Sequence, residues 1–248
     1  MNVTATLVHE ALGHGVAAAF FGAHIVHVSS VDLAYDERGV GAVPNRIIAA
    51  AGPLANLIAG WIVIVLADRI PLAAPVARYA AWLFGHVNLF VAGGYALALS
   101  FANFGDMHAI VRGLAAPVAW QIVLTLIGAA ISFYALFHGV RSLMPFLGDQ
   151  ADRVRRCVLL TLVPYLTMAF VAITAGALNP DSPMLIVISA GASSLGGNAF
   201  LAWMPYWLRA GHVWQAEPLG VPRSPLVVGL AVVALLFDYI ALAPGFPR

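Results

Sequence analysis

Apolar runs of about twenty residues, separated by short polar breaks, recur along this chain. At 1.5 Å per residue, a helix of that length crosses the hydrocarbon of a bilayer. The first run, residues 3–21, would be about 28 Å long. Residues 22–45 are the most polar early stretch. Within them His24-Ile-Val-His27-Val-Ser-Ser-Val-Asp-Leu alternates in part and is β-branched, which predicts a short strand or hairpin at the membrane surface. Asp36-Glu-Arg-Gly39 predicts a turn. Residues 46–66 form the second run, closed by Asp68-Arg69-Ile-Pro71. Residues 74–104 are too long for one upright span and carry Gly85, Gly93, Gly94, His86, Asn88 and Asn103. They predict a third span, broken or tilted, whose C-terminal end delivers Asp106. Residues 116–138 are the fourth run, and 139–156 the most charged loop. Residues 157–178 are the fifth, with Pro164 as a kink that neighbouring helices can satisfy. Residues 183–208 are the sixth, rich in Gly and Ser over 189–198, as close helix packing requires. Residues 224–242 are the seventh. The expectation is an all-α polytopic membrane protein with six to seven transmembrane helices and a short β-like segment after the first.

Composition narrows this further. With 62% of residues hydrophobic and 9% charged, the chain is far from a soluble domain, in which about a quarter would be charged. A net charge of +1 argues against nucleic acid as a partner, and the hydropathy makes the lipid bilayer the expected one. All basic residues are Arg and none is Lys; with the Ala and Gly content this points to a GC-rich bacterial genome, hence to a bacterial inner (cytoplasmic) membrane. The single Cys157 rules out an internal disulfide and a multi-Cys zinc site, so a metal would be held by His, Asp, Glu or Asn. No basic stretch precedes His9, and His and Glu interrupt the first apolar run, so it does not read as a cleavable signal. Orientation is balanced between two tests. If residues 22–45 face the cytoplasm, Arg141, Arg153, Arg155 and Arg156 lie outside, whereas the positive-inside rule favours them inside.

The chemistry concentrates in Val8-His9-Glu10-Ala11-Leu12-Gly13-His14-Gly15. Ionisable groups inside an apolar span cost about 2–3 kcal/mol each, so they coordinate, pair or line a wet cavity. The pattern is close to H-E-x-x-H, in which two His bind zinc and Glu acts as base, but the second His comes one residue late. On a regular helix His9 and His14 stand about 140° apart. A π-bulge absorbs one residue and would bring His14 back to His9, with Gly13 giving the backbone latitude. Alternatively the helix stays regular, Glu10 and His14 share a face, and Glu10 is a ligand instead of the base. The blander possibility is that the three side chains hydrogen-bond one another and neighbouring helices.

His9-Glu10, Gly13-His14, the Ala17-Ala18-Ala19 run and Gly22 resemble the first membrane helix of the site-2 protease family of intramembrane zinc metalloproteases. The strand-like segment that follows fits, and Ala51-Gly52-Pro53-Leu54-Ala55-Asn56 is similar to that family's A-G-P-x-x-N element. The order of parts agrees from Val3 to Asp106 and ends near Ile110. The resemblance implies zinc held by His9, His14 and a later Asp. Asp106 is the best match because Asn103-Phe-Gly-Asp106 is similar to a degenerate Asn…Asp-Gly element. It also implies that Glu10 activates a zinc-bound water to hydrolyse a peptide bond of a membrane protein or peptide substrate. No Pro lies between Asn103 and Asp106, and Met107 stands where Gly is expected. The longer His-Glu-x-x-Gly-His spacing resembles the zinc motif of dipeptidyl peptidase III.

Residues 1–110 thus read as a metal-binding core and 111–248 as additional helices. Asn56 is expected either to hydrogen-bond substrate or stabilise an oxyanion, or to pack between helices. His86 and Asn88 are alternatives to Asp106, and His108 reads as a surface residue close enough to be a partner behind the ligands. His24 and His27 read as surface-strand residues, Asp238 as a snorkelling end residue, and Arg153 to Arg156 as headgroup contacts. A non-proteolytic metal-binding scaffold and a transporter using the His/Asp cluster are the rival functions.

Overall fold

A computed structural model describes residues 1–102, 104–148, 151–178, 190–208, 217–221 and 225–246, with Asn2 described by its backbone alone. It is a helical protein with almost no sheet. Helix α1 (residues 2–20) has α-helical ends, Asn2–Leu7 and Val16–Phe20, around a π-helical centre, Val8–Gly15. A hairpin follows, β1 (Ile25–Val28) and β2 (Leu33–Tyr35), paired antiparallel with Val28 opposite Leu33 and an irregularity between Ile25 and His27. Its turn is tied by Ser29 Oγ, which accepts from the backbone N–H groups of Val31 and Asp32. Next come α2 (Ala42–Arg69), α3 (Pro75–Leu99), the short α4 (Gly105–Val111), α5 (Pro117–Leu147) and α6 (Arg153–Ala177). A π-helical turn, Ala192–Gly197, leads into α7 (Ala199–Trp203). The last helix, α8 (Pro225–Phe237), continues as a π-helical turn, Asp238–Leu242.

Among the described residues, five helices are long and apolar enough to cross a membrane: α2, α3, α5, α6 and α8 with its final turn. Together with α1 they cover six of the seven apolar runs. The sixth run, residues 183–208, lies partly outside the described residues. Helix α3 is the hub. Of its apolar window 78% is buried, against 28–33% for α2, α5 and α6 and 6% for α8. That position explains why α3 carries glycines and polar groups where lipid-facing helices carry aliphatic ones. A Cβ on Gly93 would press on Ser132 Oγ and the Gly128 carbonyl, and one on Gly94 would strike the Gly197 backbone. These are small-residue contacts that let backbones approach without a hydrophobic drive between helices.

Several boundaries differ from the expected ones. The charged loop 139–156 is helical as far as Leu147, because Leu143, Met144, Pro145, Phe146 and Leu147 are all buried and extend α5 past the polar Arg141 and Ser142. The third span ends at Leu99, and Asp106 sits on the separate α4, whose first residue, Gly105, has φ +73° and breaks the helical path. The sixth run is not one straight helix over its described part. Asp238 does not snorkel: only 1% of it is exposed, since the turn Asp238–Leu242 tucks under the hairpin, where the Leu242 carbonyl accepts from Ser30 N–H. His27 is likewise buried, covered by Gly245.

Candidate metal centre

The extra residue of the His-Glu motif is absorbed where the backbone is π-helical. Eight residues, Val8–Gly15, take the wider coil, in which the backbone hydrogen bond spans five residues instead of four. His9 and His14, five apart, therefore lie over one another, with ring centroids 4.8 Å apart and planes nearly perpendicular. Gly13 makes this possible against α2. A Cβ there would lie 2.5 Å from Gly52 Cα, and a Cβ on Gly52 would lie 2.5 Å from His14 Nε2 and 2.8 Å from His9 Nε2. The two glycines thus leave a slot, and the imidazole nitrogens occupy its mouth.

Each ring is fixed from behind. Asn56 donates from Nδ2 to the Ala5 carbonyl at 2.9 Å and to Asn88 Oδ1 at 2.8 Å, while Asn88 donates from Nδ2 to the Phe84 carbonyl. These backbone anchors set the amide orientation, leaving Asn56 Oδ1 to accept from His9 Nδ1 at 2.6 Å. His14 Nδ1 donates to the Ile48 carbonyl at 2.7 Å. Pro53 has no N–H for the Ala49 carbonyl, so the α2 ladder is interrupted next to that acceptor. The Gly52-Pro53 pair has two physical uses: room for the rings and an opened turn behind one of them.

With both Nδ1 atoms donating, both Nε2 atoms present lone pairs, and both face Asp106. His9 Nε2 lies 2.9 Å from Asp106 Oδ2, and His14 Nε2 lies 3.3 Å from Oδ1. An ionised carboxylate only accepts. Acceptor faces acceptor twice over, which requires two protons or one cation. Two protons would place imidazolium charges on rings 4.8 Å apart; a single divalent cation meets all three groups at once. The three ligand atoms lie within 4.8 Å of one another, comparable with the spacing of about 3.4 Å between donors around a tetrahedral ion with bonds of about 2.0–2.2 Å. Oriented imidazoles with hydrogen-bonded second nitrogens are how metal sites are built. This buried group can hold a metal ion.

The triad opens on a cavity of about 350 Å³ lined by Glu10, Val31, Asp32, Leu33, Tyr35, Tyr95, His108 and Arg112 among others. Glu10 is half-buried on its wall. At the rim Arg112 pairs with Glu37 at 3.0 Å, both half-exposed.

The structure brings together His9, Glu10, His14 and Asp106. Asn56 is placed differently from the substrate-binding or oxyanion role: it is completely buried, and its Oδ1 and its Nδ2 all face protein partners. It positions His9. Asn88 stands behind Asn56, whereas His86 turns away to His138 Nδ1 at 3.1 Å. His108 lines the cavity and is not confined to the outer surface. Asn103 lies outside the described residues. Arg156 pairs with Asp152 at 2.9 Å. Two contributors had no role assigned from sequence. The Ile48 carbonyl was signalled only by Pro53 four residues after Ala49, and Tyr95 only by its apolar surroundings on α3.

No protein-family model matches this sequence, and no curated protein or solved structure matches it.

Proposed function

We propose that this chain is a membrane-embedded zinc metallopeptidase, similar in its first 110 residues to the site-2 protease family, which hydrolyses peptide bonds of membrane-associated substrates in a bacterial inner membrane. The observation that carries the reading is the pair of imidazoles, each held through Nδ1 and each turning a bare Nε2 to Asp106, with Glu10 on the wall of the same cavity. His9, His14 and Asp106 would hold the zinc, which when bound supplies a Lewis acid and lowers the pKa of water at the site.

The chain's own groups do the rest. Glu10 takes a proton on its carboxylate as the oxygen of water adds to the scissile carbonyl carbon, and returns it to the amide nitrogen as the C–N bond breaks. Asn56 and Ile48 keep the two imidazoles from turning. Leu33, Val91 and Tyr95 line the chamber with apolar surface, which strengthens every charge interaction inside it. Residues 111–248 add helices around this core.

The test is a pair of measurements on purified protein: zinc content, and cleavage of a membrane-spanning reporter. Wild type should carry about one zinc and cleave. His9→Ala/His14→Ala should do neither. Glu10→Gln should keep the zinc and lose at least about 100-fold in cleavage. Zinc without turnover under all conditions would favour a metal-binding scaffold, and no zinc in wild type would remove the enzyme reading altogether.

A further inference from the structure

The roof of the metal cavity is the β1–β2 hairpin, whose Val31, Asp32, Leu33 and Tyr35 line it. This hairpin is not a free two-stranded element, which would be marginal alone. Its outer edge is taken by the far end of the described chain. Val28 N–H donates to the Phe246 carbonyl and Phe246 N–H to the Val28 carbonyl, both at 2.8 Å, and Ser30 N–H donates to the Leu242 carbonyl at 3.1 Å. Gly245, at φ +76°, lies flat on the His27 ring, so close that a Cβ would overlap it. Residues 242–246, a turn that ends in the single bridge residue Phe246, are therefore clamped on the roof.

What holds that turn is unusual. Helix α8, from which it continues, has no buried residue between Pro225 and Phe237. Its lower turn is fastened by Tyr239, whose hydroxyl meets Thr174 Oγ1 at 2.6 Å, and carries the buried Asp238. A helix with so little packing has a low cost of local displacement, yet its end is hydrogen-bonded to the hairpin that lines the His9–His14–Asp106 cavity. We infer that residues 242–246 are a strap that keeps the hairpin closed over the His9–His14–Asp106 cavity, and that α8 carries the strap on and off. Regulation of the centre would then act on α8 in the plane of the bilayer. This rests on the cavity being the functional site, but not on the reaction performed there.

The first arm of the experiment reads closure without relying on zinc or cleavage. In a Cys157→Ser background, Leu33→Cys places a thiol on the inner face of the roof, and its labelling by a water-soluble maleimide is timed on the full chain in detergent. Phe246→Pro, which removes one strap hydrogen bond, and Gly245→Val, which cannot lie on His27, should each label at least about tenfold faster than the parent. Gly229→Ala, in open space on α8, should label at the parental rate. As an independent arm that needs no destabilised variant, Val28→Cys/Phe246→Cys should, on oxidation, slow stripping of bound zinc by a chelator several-fold, with reductant restoring the rate. Equal labelling in all variants, or a crosslink that leaves the stripping rate unchanged while zinc is bound, would overturn the strap. A protein that takes up no zinc would instead sink the metal reading and leave the labelling result to decide the strap.

Discussion

Asn56 Oδ1 stands 2.6 Å from His9 Nδ1, and through that contact the Phe84 and Ala5 carbonyls decide which imidazole nitrogen faces Asp106. The relay runs from backbone to Asn88 to Asn56 to His9, each amide held by an acceptor that cannot itself donate. Replacing Asn56 by Leu removes the acceptor and frees the ring. Zinc affinity, read by competition with a chromophoric chelator, should fall about 10–100-fold, with Asn88→Ala showing a smaller loss in the same direction.

Gly52 is held open by the centre itself. A methyl there would lie 2.5 Å from His14 Nε2, inside any van der Waals contact, so Gly52→Ala should abolish zinc binding in protein that still purifies as a folded species. Gly229→Ala, with nothing within 4 Å of the added carbon, is the matched control and should keep full zinc content.

The π-helical centre of α1 contains one residue more than a regular helix needs. Leu12 is 64% exposed and faces outward. Deleting it yields His-Glu-Ala-Gly-His, in which the two His stand four apart and share a face of an ordinary α-helix. That shortened protein should still bind zinc, within about tenfold of wild type by chelator competition. Deletion of Gly13 instead, which brings a side chain against Gly52, should lose it.

Protons compete with the metal for both imidazoles and the carboxylate. Metal binding releases protons, so affinity declines as pH falls. Zinc retained after dialysis against a weak chelator should be full near about pH 7.5 and largely lost by about pH 5, in the region where imidazoles normally charge. Loss on raising the pH over the same range would contradict ligation through neutral imidazoles.

Much of the site was legible in the sequence because its cost is visible there. His9, Glu10 and His14 stand out in an apolar run since ionisable groups are rare in lipid. Gly52-Pro53 stands out because neither residue favours a helix interior. The role of Asn56 was not legible: an Asn on a membrane helix can face substrate or a neighbour, and only the partners on all its polar atoms distinguish these. The helical extension of α5 to Leu147 was hidden by Arg141 and Ser142, two polar residues on a face that packing leaves open. His86, an alternative to Asp106 by composition, points the other way, to His138.

The linear chain by itself determined the class of protein and the location of two of its three candidate metal ligands. Span length, hydropathy and the scarcity of charge are local properties, and they fix helices in a bilayer whatever the packing. Tertiary structure alone decided three things. It set the π-helical winding that stacks His9 on His14, because a helix of this composition has no local reason to leave the α form and does so only against Gly52. It brought Asp106, which the resemblance had singled out, onto the two rings across a separation of nearly a hundred residues that local pattern cannot bridge. And it seated residues 242–246 on the hairpin, a pairing made by backbone N–H and carbonyl groups that every residue carries and no sequence therefore announces.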